Sequence, residues 1–478
     1  MVQLSKTPAF DGDRNMPDKI NRVIVLMLEN RSFDHVLGCL TPDIPKLDGI
    51  DPRNPGINTY DGQPYSQQAG AARFLNFDPR HELEHVAVQL KGGNGGFVQD
   101  FAQSYPRADP KTDLPEVMKY HDRGVLPAIH ALAKNFTVCD HWHASVPGPT
   151  WCNRLFALSG TSLGRVAMPE GVMSLNLHWY SQSTLFDRLN ERKIPWKVYF
   201  GDAPLSFLFV HQWEAQNVAR HCTMTEFYRD VASYDPAKPD NDGLPPFSFI
   251  EPQYFQPGAT DAHPPHDIFA ADALVGSVYT AIRANKNDLW KETLLVIAFD
   301  EHGGFYDHEP PPDTVPPDFH QEEYDFKKLG VRVPVILVSP WVLKGVCDTP
   351  MDHTSLLKYL QGKWGLGPLG HRTEVAATFN AAIHTDDNKR NDALPSVEHS
   401  MVPASNLHAD ARPPSFEKLS TNQQALLALS QVLESMAGEE ASVIASRARS
   451  VLSHAQSQID TAVDRFESFL GINKRGRV

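Results

Sequence analysis

Two apolar segments of this chain run without a break into acidic residues. Residues 23–28 are followed by Glu29 and Asn30, and residues 294–299 are followed by Asp300 and Glu301. Six-residue aliphatic runs without polar alternation are typical of strands buried on both faces, as in parallel α/β sheets. Because ligands bind at the carboxyl ends of such strands, the sequence predicts an α/β fold with acidic groups at one sheet edge.

This acidic edge predicts one bound divalent cation. Carboxylate and amide oxygens are hard ligands, and the set fits calcium, magnesium, manganese or zinc without selecting among them. A cation there can stabilise charge that develops on a phosphoryl group. Each segment also has a structural alternative. Asn30 or Ser32 would cap a helix, and Gly303 and Gly304 would form a strand-to-loop turn.

Composition excludes some partners. The 478-residue chain carries 44 basic and 58 acidic residues, a net charge of −14, which argues against general affinity for nucleic acid or anionic membranes. Its five cysteines have no metal or disulfide spacing, so we expect free thiols. The sequence shows no signal-like or membrane-length apolar run. We therefore expect cytoplasmic synthesis, with export by a signal-independent route left open.

The chain divides into three parts by composition. Residues 1–382 form the expected catalytic domain, with a helix over 270–285 and a third apolar run at 333–338. The proline within that run predicts either an edge strand or a strand that begins after Pro334. Residues 383–418, rich in Pro, Asn and Asp, predict a linker. Apolar residues at three- and four-residue steps predict amphipathic helices over 419–478. These helices either pack on the catalytic domain or on each other as a hairpin, or they serve as a lid or an oligomer interface.

Thr150 is the candidate nucleophile. It lies at a Gly/Pro turn that opens an apolar helix, where threonine is an ordinary N-cap, and spacing alone favours capping. Asn153 and Arg154 follow one turn later. A hydroxyl at a helix N-terminus beside a guanidinium is suited to face a phosphoryl group.

A leaving alkoxide also needs a proton donor, and imidazole suits that role near neutral pH. The chain has 21 histidines, and spacing does not select among those beside turns and acids. The candidates are His81, His121, His263 and His353.

Several motifs together resemble one family. ENRSFDH, GPTWCNR with the following LFALSGT, HPPHD and DEHGGFYDHEPPP are similar to the bacterial phospholipase C and acid phosphatase phosphoesterase family, over residues 21 to about 365. The resemblance implies an alkaline-phosphatase-like fold with a largely parallel sheet between helical layers. It also implies a single metal site, whose ligands would be Glu29, Asn30, Thr150, Asp300 and Glu301.

The resemblance further implies roles for the polar residues around that metal. Thr150 would attack phosphorus and form a phosphothreonine intermediate. His81, His263 and His353 would bind phosphate or protonate the leaving group, with His85 and His266 competing for the first two roles. The non-bridging oxygens would contact Asn153, Arg154 and His302.

The implied function is that of a phospholipase C acting at a membrane or micelle surface. It would cleave the glycerol-side phosphodiester of a phospholipid to diacylglycerol and a phosphorylated head group. Phosphatidylcholine is the favoured substrate. Threonine within GPT resembles the lipase branch more than the phosphatase branch. The alternatives are a broad acid phosphatase acting on monoesters and a catalytically silent lipid-binding protein. Aromatic residues for a choline cage, which core packing explains equally well, are Trp142, Trp151, Trp179, Tyr180 and Tyr254.

Overall fold

An eight-stranded sheet forms the centre of the protein. The computed structural model describes residues 19–75, 77–169, 180–238, 243–255, 258–384 and 420–436. The strands are β1 Arg22–Leu28, β2 Ile57–Tyr60, β3 Gln63–Ser66, β4 Gln68–Ala69, β5 Lys119–Tyr120, β6 Thr137–Cys139, β7 Trp196–Phe200, β8 His221–Thr223, β9 Phe247–Glu251, β10 Thr293–Phe299, β11 Val335–Val338 and β12 Gly345–Cys347.

The central sheet is largely parallel. Its order is β12-β6-β11-β10-β1-β9-β7-β8, and only β11 runs antiparallel to its neighbours. Every residue of β10, and every residue of β1 after Arg22, is buried, so helices and loops cover both sheet faces. The predicted α/β class with a largely parallel sheet is confirmed. In the third apolar run the strand begins after Pro334, as one alternative predicted, and it lies inside the sheet rather than at its edge.

Helices surround this sheet. They are α1 Phe33–Val36, α2 Leu83–Gln89, α3 Lys91–Asn94, α4 Phe97–Ser104, α5 Pro127–Asn135, α6 Thr150–Ser159, α7 Leu185–Glu191, α8 Ala215–Val218, α9 Met224–Ser233, α10 Ile268–Ala284, α11 His353–Trp364, α12 His371–Val375 and α13 Thr421–Met436. Among them, α6 packs against α7 and α11, and α10 packs against α5 and α9. The helix expected over 270–285 is present as α10. Short 3₁₀ helices span Gly38–Leu40, Leu114–Met118, Leu205–Leu208, Val210–Trp213, Leu289–Glu292 and Asn380–Ala382.

The C-terminal helix α13 packs on the catalytic body. Ala425, Leu426, Ala428 and Leu429 are buried in the main hydrophobic core. The predicted linker, apart from its first two residues, and the tail beyond residue 436 lie outside the described residues. Within the described part of the chain, no helix is long and apolar enough to cross a membrane.

The pairing of β1 with β10 places the two predicted acidic segments side by side. Leu28 and Phe299, the last residues of the two strands, are direct partners in the parallel ladder. Glu29 and Asp300 therefore leave the sheet at the same edge.

Candidate active site

Three neighbouring parallel strands end in buried acids. Glu29 follows β1, Asp300 follows β10, and Glu251 is the last residue of β9. Arg154 of α6 pairs with all three. Its Nε lies 3.0 Å from Asp300 Oδ2, its Nη2 3.5 Å from Glu29 Oε1, and its Nη1 3.6 Å from Glu251 Oε2.

The acids outnumber this one cation. Burial raises the pKa of Glu29, Glu251 and Asp300, and the charge of Arg154 opposes that rise. Burial likewise raises the pKa of Glu301. A further cation would stabilise the ionised forms, because buried carboxylates need partners.

Two buried oxygens at this edge accept no hydrogen bond from the described residues. Asn30 donates its backbone N–H to Asp300 Oδ1 at 3.2 Å, yet its side-chain Oδ1 is buried without a hydrogen bond among the described residues. The same holds for Oε1 of Glu301, whose Oε2 accepts from the Gly303 N–H at 2.6 Å. Unsatisfied buried acceptors cost free energy, and a divalent cation binds such oxygens. The residues present therefore fit a metal ion.

Gly303 allows this close arrangement. Its φ is +63°, and a Cβ atom there would lie 2.3 Å from the carbonyl oxygen of Asn30. Asn30 itself has a φ of +57°, a conformation that asparagine tolerates better than most residues. The loop after β10 thus packs directly on the residue that follows β1.

Thr150 is the first residue of α6 and does not cap it. Pro149 occupies the N-cap position and makes no side-chain cap bond. The capping alternative for Thr150 is therefore wrong. Thr150 precedes Arg154 by four residues, so both lie on one face of α6, and Arg154 extends to the acidic edge.

Asn153 holds the loop in front of Thr150. Its Oδ1 accepts from the Val146 N–H at 3.1 Å, and its Nδ2 donates to the carbonyl oxygens of Gly148 at 2.8 Å and Val146 at 3.3 Å. The amide is thus engaged within the protein. The guanidinium of Arg154 is similarly held by carboxylates. The geometry favours positioning roles for both residues over the phosphate contacts expected from the sequence.

His81 lies beside the side chains of Asn30 and Glu301. Its Nε2 is 3.2 Å from Asn30 Nδ2 and 3.8 Å from Glu301 Oε1, while its Nδ1 donates to the Pro79 carbonyl at 2.9 Å. Burial disfavours its charged form, but the nearby carboxylates of Glu301, Asp78 and Glu82 outweigh burial and raise the pKa to about 9.

His263 lies beside His81, with ring centroids 5.8 Å apart. Its Nε2 is buried, has no hydrogen bond within the described part of the chain, and lies 3.9 Å from Asp78 Oδ1. Burial lowers the pKa of His263 to about 3. This imidazole is therefore neutral and has one nitrogen left for a ligand.

The competing histidines are held by carboxylates. His85 Nδ1 lies 2.7 Å from Asp100 Oδ1, and His266 Nδ1 lies 2.8 Å from Asp261 Oδ1. Each contact gives the imidazole a structural role, the orientation of a neighbouring carboxylate. The geometry thus favours His81 over His85 and His263 over His266.

His353 and His302 make hydrogen bonds to protein groups around the acidic edge. His353 donates from Nε2 to the Asp300 carbonyl at 2.7 Å and accepts at Nδ1 from Trp142 Nε1 at 3.3 Å. His302 Nε2 lies 2.8 Å from Gln89 Oε1, and burial lowers the pKa of His302 to about 3. His353 thus has partners at both nitrogens and His302 at Nε2, so the geometry favours supporting roles over substrate contact.

Sequence reasoning missed three residues of this site. Glu251 ends a strand whose apolar run is interrupted by Ser248. Arg31 stands inside the first acidic motif, and its Nε and Nη1 are buried without partners in the described ranges. The third, Asn422, lies in the tail helix, with no nearby motif to indicate a role. Two signals were available in the sequence. Glu251 is an acid at the end of a strand, and Arg31 lies within the first acidic motif.

Another acidic cluster lies near the site. Asp34, Asp307 and His308 have ligand atoms within 4.8 Å of one another, the spacing of a metal site. Arg332 already lies among them, with Nε 2.8 Å from Asp307 Oδ1 and Nη2 3.3 Å from Asp34 Oδ1. A protein cation therefore neutralises this cluster.

The aromatic residues considered for a choline cage pack in the core. Trp142, Trp151, Tyr180 and Tyr254 are all buried, and Trp179 lies outside the described residues. Tyr254 donates its hydroxyl to Glu251 Oε2 at 2.9 Å. The core-packing alternative therefore accounts for these four side chains.

The parallel sheet, the acids at its strand ends and the hydroxyl at a helix start define a hydrolase that acts on phosphate esters. A family model described as the Phosphoesterase family matches residues 20–367. The chain belongs to this family, as its motifs predicted, and it is a hydrolase acting on phosphodiesters.

Its sequence relatives include plant and mycobacterial proteins. Non-specific phospholipase C6 of Arabidopsis thaliana is 34% identical over 433 residues, covering 82% of this chain and 78% of that protein. Phospholipase C A of Mycobacterium tuberculosis is 29% identical over 450 residues, covering 80% and 81%. A solved structure of a protein in the alkaline phosphatase superfamily from Vibrio parahaemolyticus aligns over 74% of this chain and 69% of its own, with 10% identity and a TM-score of 0.34.

Proposed function

We propose that the chain is a phospholipase C. It hydrolyses the glycerol-side phosphodiester of phospholipids, phosphatidylcholine among them, to diacylglycerol and a phosphorylated head group. One observation carries this proposal. Thr150 does not cap α6, and it lies on the same helix face as Arg154, whose guanidinium is fixed among the three strand-end acids. The names of the sequence relatives support the choice of lipid substrate.

One divalent ion completes this site in the proposal. Glu29, Asn30, Thr150, Asp300 and Glu301 would hold it, supported by the unpartnered oxygens of Asn30 and Glu301. When bound, the ion lowers the pKa of the Thr150 hydroxyl and offsets negative charge on the phosphoryl group.

The side chains then divide the reaction into two displacements. In the first, the Thr150 hydroxyl gives its proton to solvent, its Oγ1 forms a bond to phosphorus while the bond from phosphorus to the glycerol oxygen breaks, and an imidazolium gives that oxygen a proton. In the second, water forms a bond to phosphorus, the phosphothreonine bond breaks, and the imidazole takes a proton from the water. His81 is the candidate for this imidazole, since the neighbouring carboxylates raise its pKa, whereas the neutral His263 has no proton to give at its free nitrogen.

Arg31 is proposed to bind the phosphoryl oxygens. Its buried guanidinium stacks on Phe305, with Cζ 4.7 Å from the ring centroid, and leaves Nε and Nη1 without partners in the described structure. Burial lowers the pKa of Arg31 to about 9, so the charged form has lost stabilisation that an anionic oxygen restores. Arg31 thus takes the role expected from the sequence for Asn153 and Arg154.

A comparison of substrates tests the proposal. Purified protein is assayed for phosphocholine release from phosphatidylcholine and for hydrolysis of an aryl phosphate, before chelation, after it, and after separate return of Ca²⁺, Mg²⁺, Mn²⁺ and Zn²⁺. We expect lipid cleavage that chelation removes and one ion restores. Monoester cleavage alone would move the assignment to an acid phosphatase, and inactivity on both substrates would favour the lipid-binding alternative.

A further inference from the structure

The C-terminal helix α13 brings a residue into the acidic edge. Asn422 is 2% exposed, and its Nδ2 donates to both oxygens of Glu29, at 2.9 Å and 3.3 Å. Its Oδ1 accepts from the indole N–H of Trp151 at 2.8 Å. Both ends of this amide are therefore engaged, one by a strand-end acid and the other by the residue after Thr150.

The start of α13 is fixed independently of that contact. Gln423 donates from Nε2 to the Tyr254 carbonyl at 2.8 Å, and its backbone N–H donates to Ser420 Oγ at 3.1 Å. Behind these polar contacts, Leu426 and Leu429 are buried in the main core. Docking of the helix and the contact to Glu29 thus rest on different side chains and can be separated by mutation.

We propose that Asn422 is a positioning residue for Glu29, which makes α13 a working part of the active site. A glutamate side chain has several rotatable bonds, and a donor that contacts both oxygens restricts its orientation. Groups that orient a metal ligand in this way raise the affinity of a site for its ion. The inference rests on the proposed function, because it takes Glu29 as a ligand of the divalent ion.

The Trp151 contact extends this role. Trp151 follows Thr150 in α6, whereas Glu29 follows β1, so the Asn422 amide joins the helix that carries the proposed nucleophile to the strand that carries the proposed ligand. Loss of Asn422 should therefore disturb the spacing of the two groups as well as the orientation of Glu29. We expect kcat to fall while KM for lipid changes less.

Ion binding by the full-length chain tests the inference. Stripped protein is titrated by calorimetry with Ca²⁺, Mg²⁺, Mn²⁺ and Zn²⁺ separately, and the tightest ion is then titrated into N422L, N422S and Q423L. Both Asn422 variants should bind the ion about 10- to 100-fold more weakly than wild type. Q423L loses the bond to the Tyr254 carbonyl and the bond from the Ser420 N–H but keeps the Asn422 contacts, so it should match wild type. Thermal unfolding of the stripped proteins separates this effect from loss of fold, and N422S supplies the result if N422L does not fold.

Three outcomes would overturn the inference and leave the proposed ion in place. Wild-type affinity in both Asn422 variants would show that Glu29 is oriented without the amide. Equal loss in Q423L would assign the effect to helix docking. Higher turnover in N422S would make α13 an obstruction to substrate. A wild-type chain that binds no divalent ion would instead remove the proposed cofactor, and this inference with it.

Discussion

The guanidinium Nε of Arg154 lies 3.0 Å from Asp300 Oδ2, with both side chains almost entirely excluded from solvent. The same guanidinium contacts Glu29 and Glu251, so one cation joins the ends of three adjacent strands. Arg154 therefore fixes the acidic edge before any ligand binds, and it leaves room for a second positive charge there.

Replacing Arg154 should be costly for stability. R154M leaves three buried carboxylates without their partner, and breaking a buried pair in this way costs about 3–5 kcal/mol. We expect that loss in the free energy of unfolding, measured by denaturant titration of the stripped protein. Arg165, which pairs with Glu323 near the surface, provides the control, and R165M should cost less than about 1 kcal/mol. Equal losses in the two variants would contradict a special role for the Arg154 contacts.

Thr150 should be required for turnover but not for folding. T150V keeps the side-chain shape and removes the nucleophilic oxygen, so phosphocholine release should fall to background while the unfolding midpoint stays near that of wild type. T150S restores a hydroxyl and should recover part of the activity. Thr373 is also a buried threonine, and T373V should retain activity. Substantial turnover by T150V would remove Thr150 as the nucleophile.

The sequence alone predicted the acidic edge because both the strands and their terminal acids are local signals. Residues 23–28 and 294–299 are continuous apolar runs, and their alignment in a parallel sheet follows from the fold class. Glu251 was missed because Ser248 interrupts its strand. Asn422 could not be found, since its contact with Glu29 spans 393 positions.

The choice among histidines also needed the structure. His81 and His85 lie four residues apart, and spacing gives them equal claims. The two histidines differ in the carboxylate that each one contacts. His85 pairs with Asp100, away from the proposed ligands, whereas His81 lies beside Glu301, which is one of them. Such distinctions depend on tertiary contacts that no local pattern encodes.

His308 should make stability depend on pH. Burial disfavours its charged form, but Asp34 and Asp48 outweigh burial and raise the pKa of His308 to about 10. A raised pKa stabilises the fold fully below the unfolded-state pKa of about 6.5, and this contribution is lost as pH rises toward 10. H308Q should therefore lower the free energy of unfolding by about 2 kcal/mol at pH 6 and by progressively less up to pH 10.

Chemical denaturation of wild type and H308Q at several pH values measures this difference. His371 is exposed and, among the described residues, forms an ion pair with Glu374 at 3.9 Å, so H371Q is the matched control and should follow wild type. A difference between wild type and H308Q that grows with pH would contradict the assigned sign.

Gly303 should be needed for the geometry of the ion site rather than only for its backbone angle. In G303A the new Cβ would meet the Asn30 carbonyl oxygen at 2.3 Å, so the loop after β10 must move away from the residue that follows β1. Gly62 has a similar φ of +72° but nothing within 4 Å of its Cβ position, and G62A isolates the cost of the angle, about 1 kcal/mol. We expect G303A to lose more stability than G62A and also to weaken binding of the divalent ion, measured by calorimetry. Since Asn30 and Glu301 flank the displaced loop, unchanged ion affinity in G303A would place the ion elsewhere.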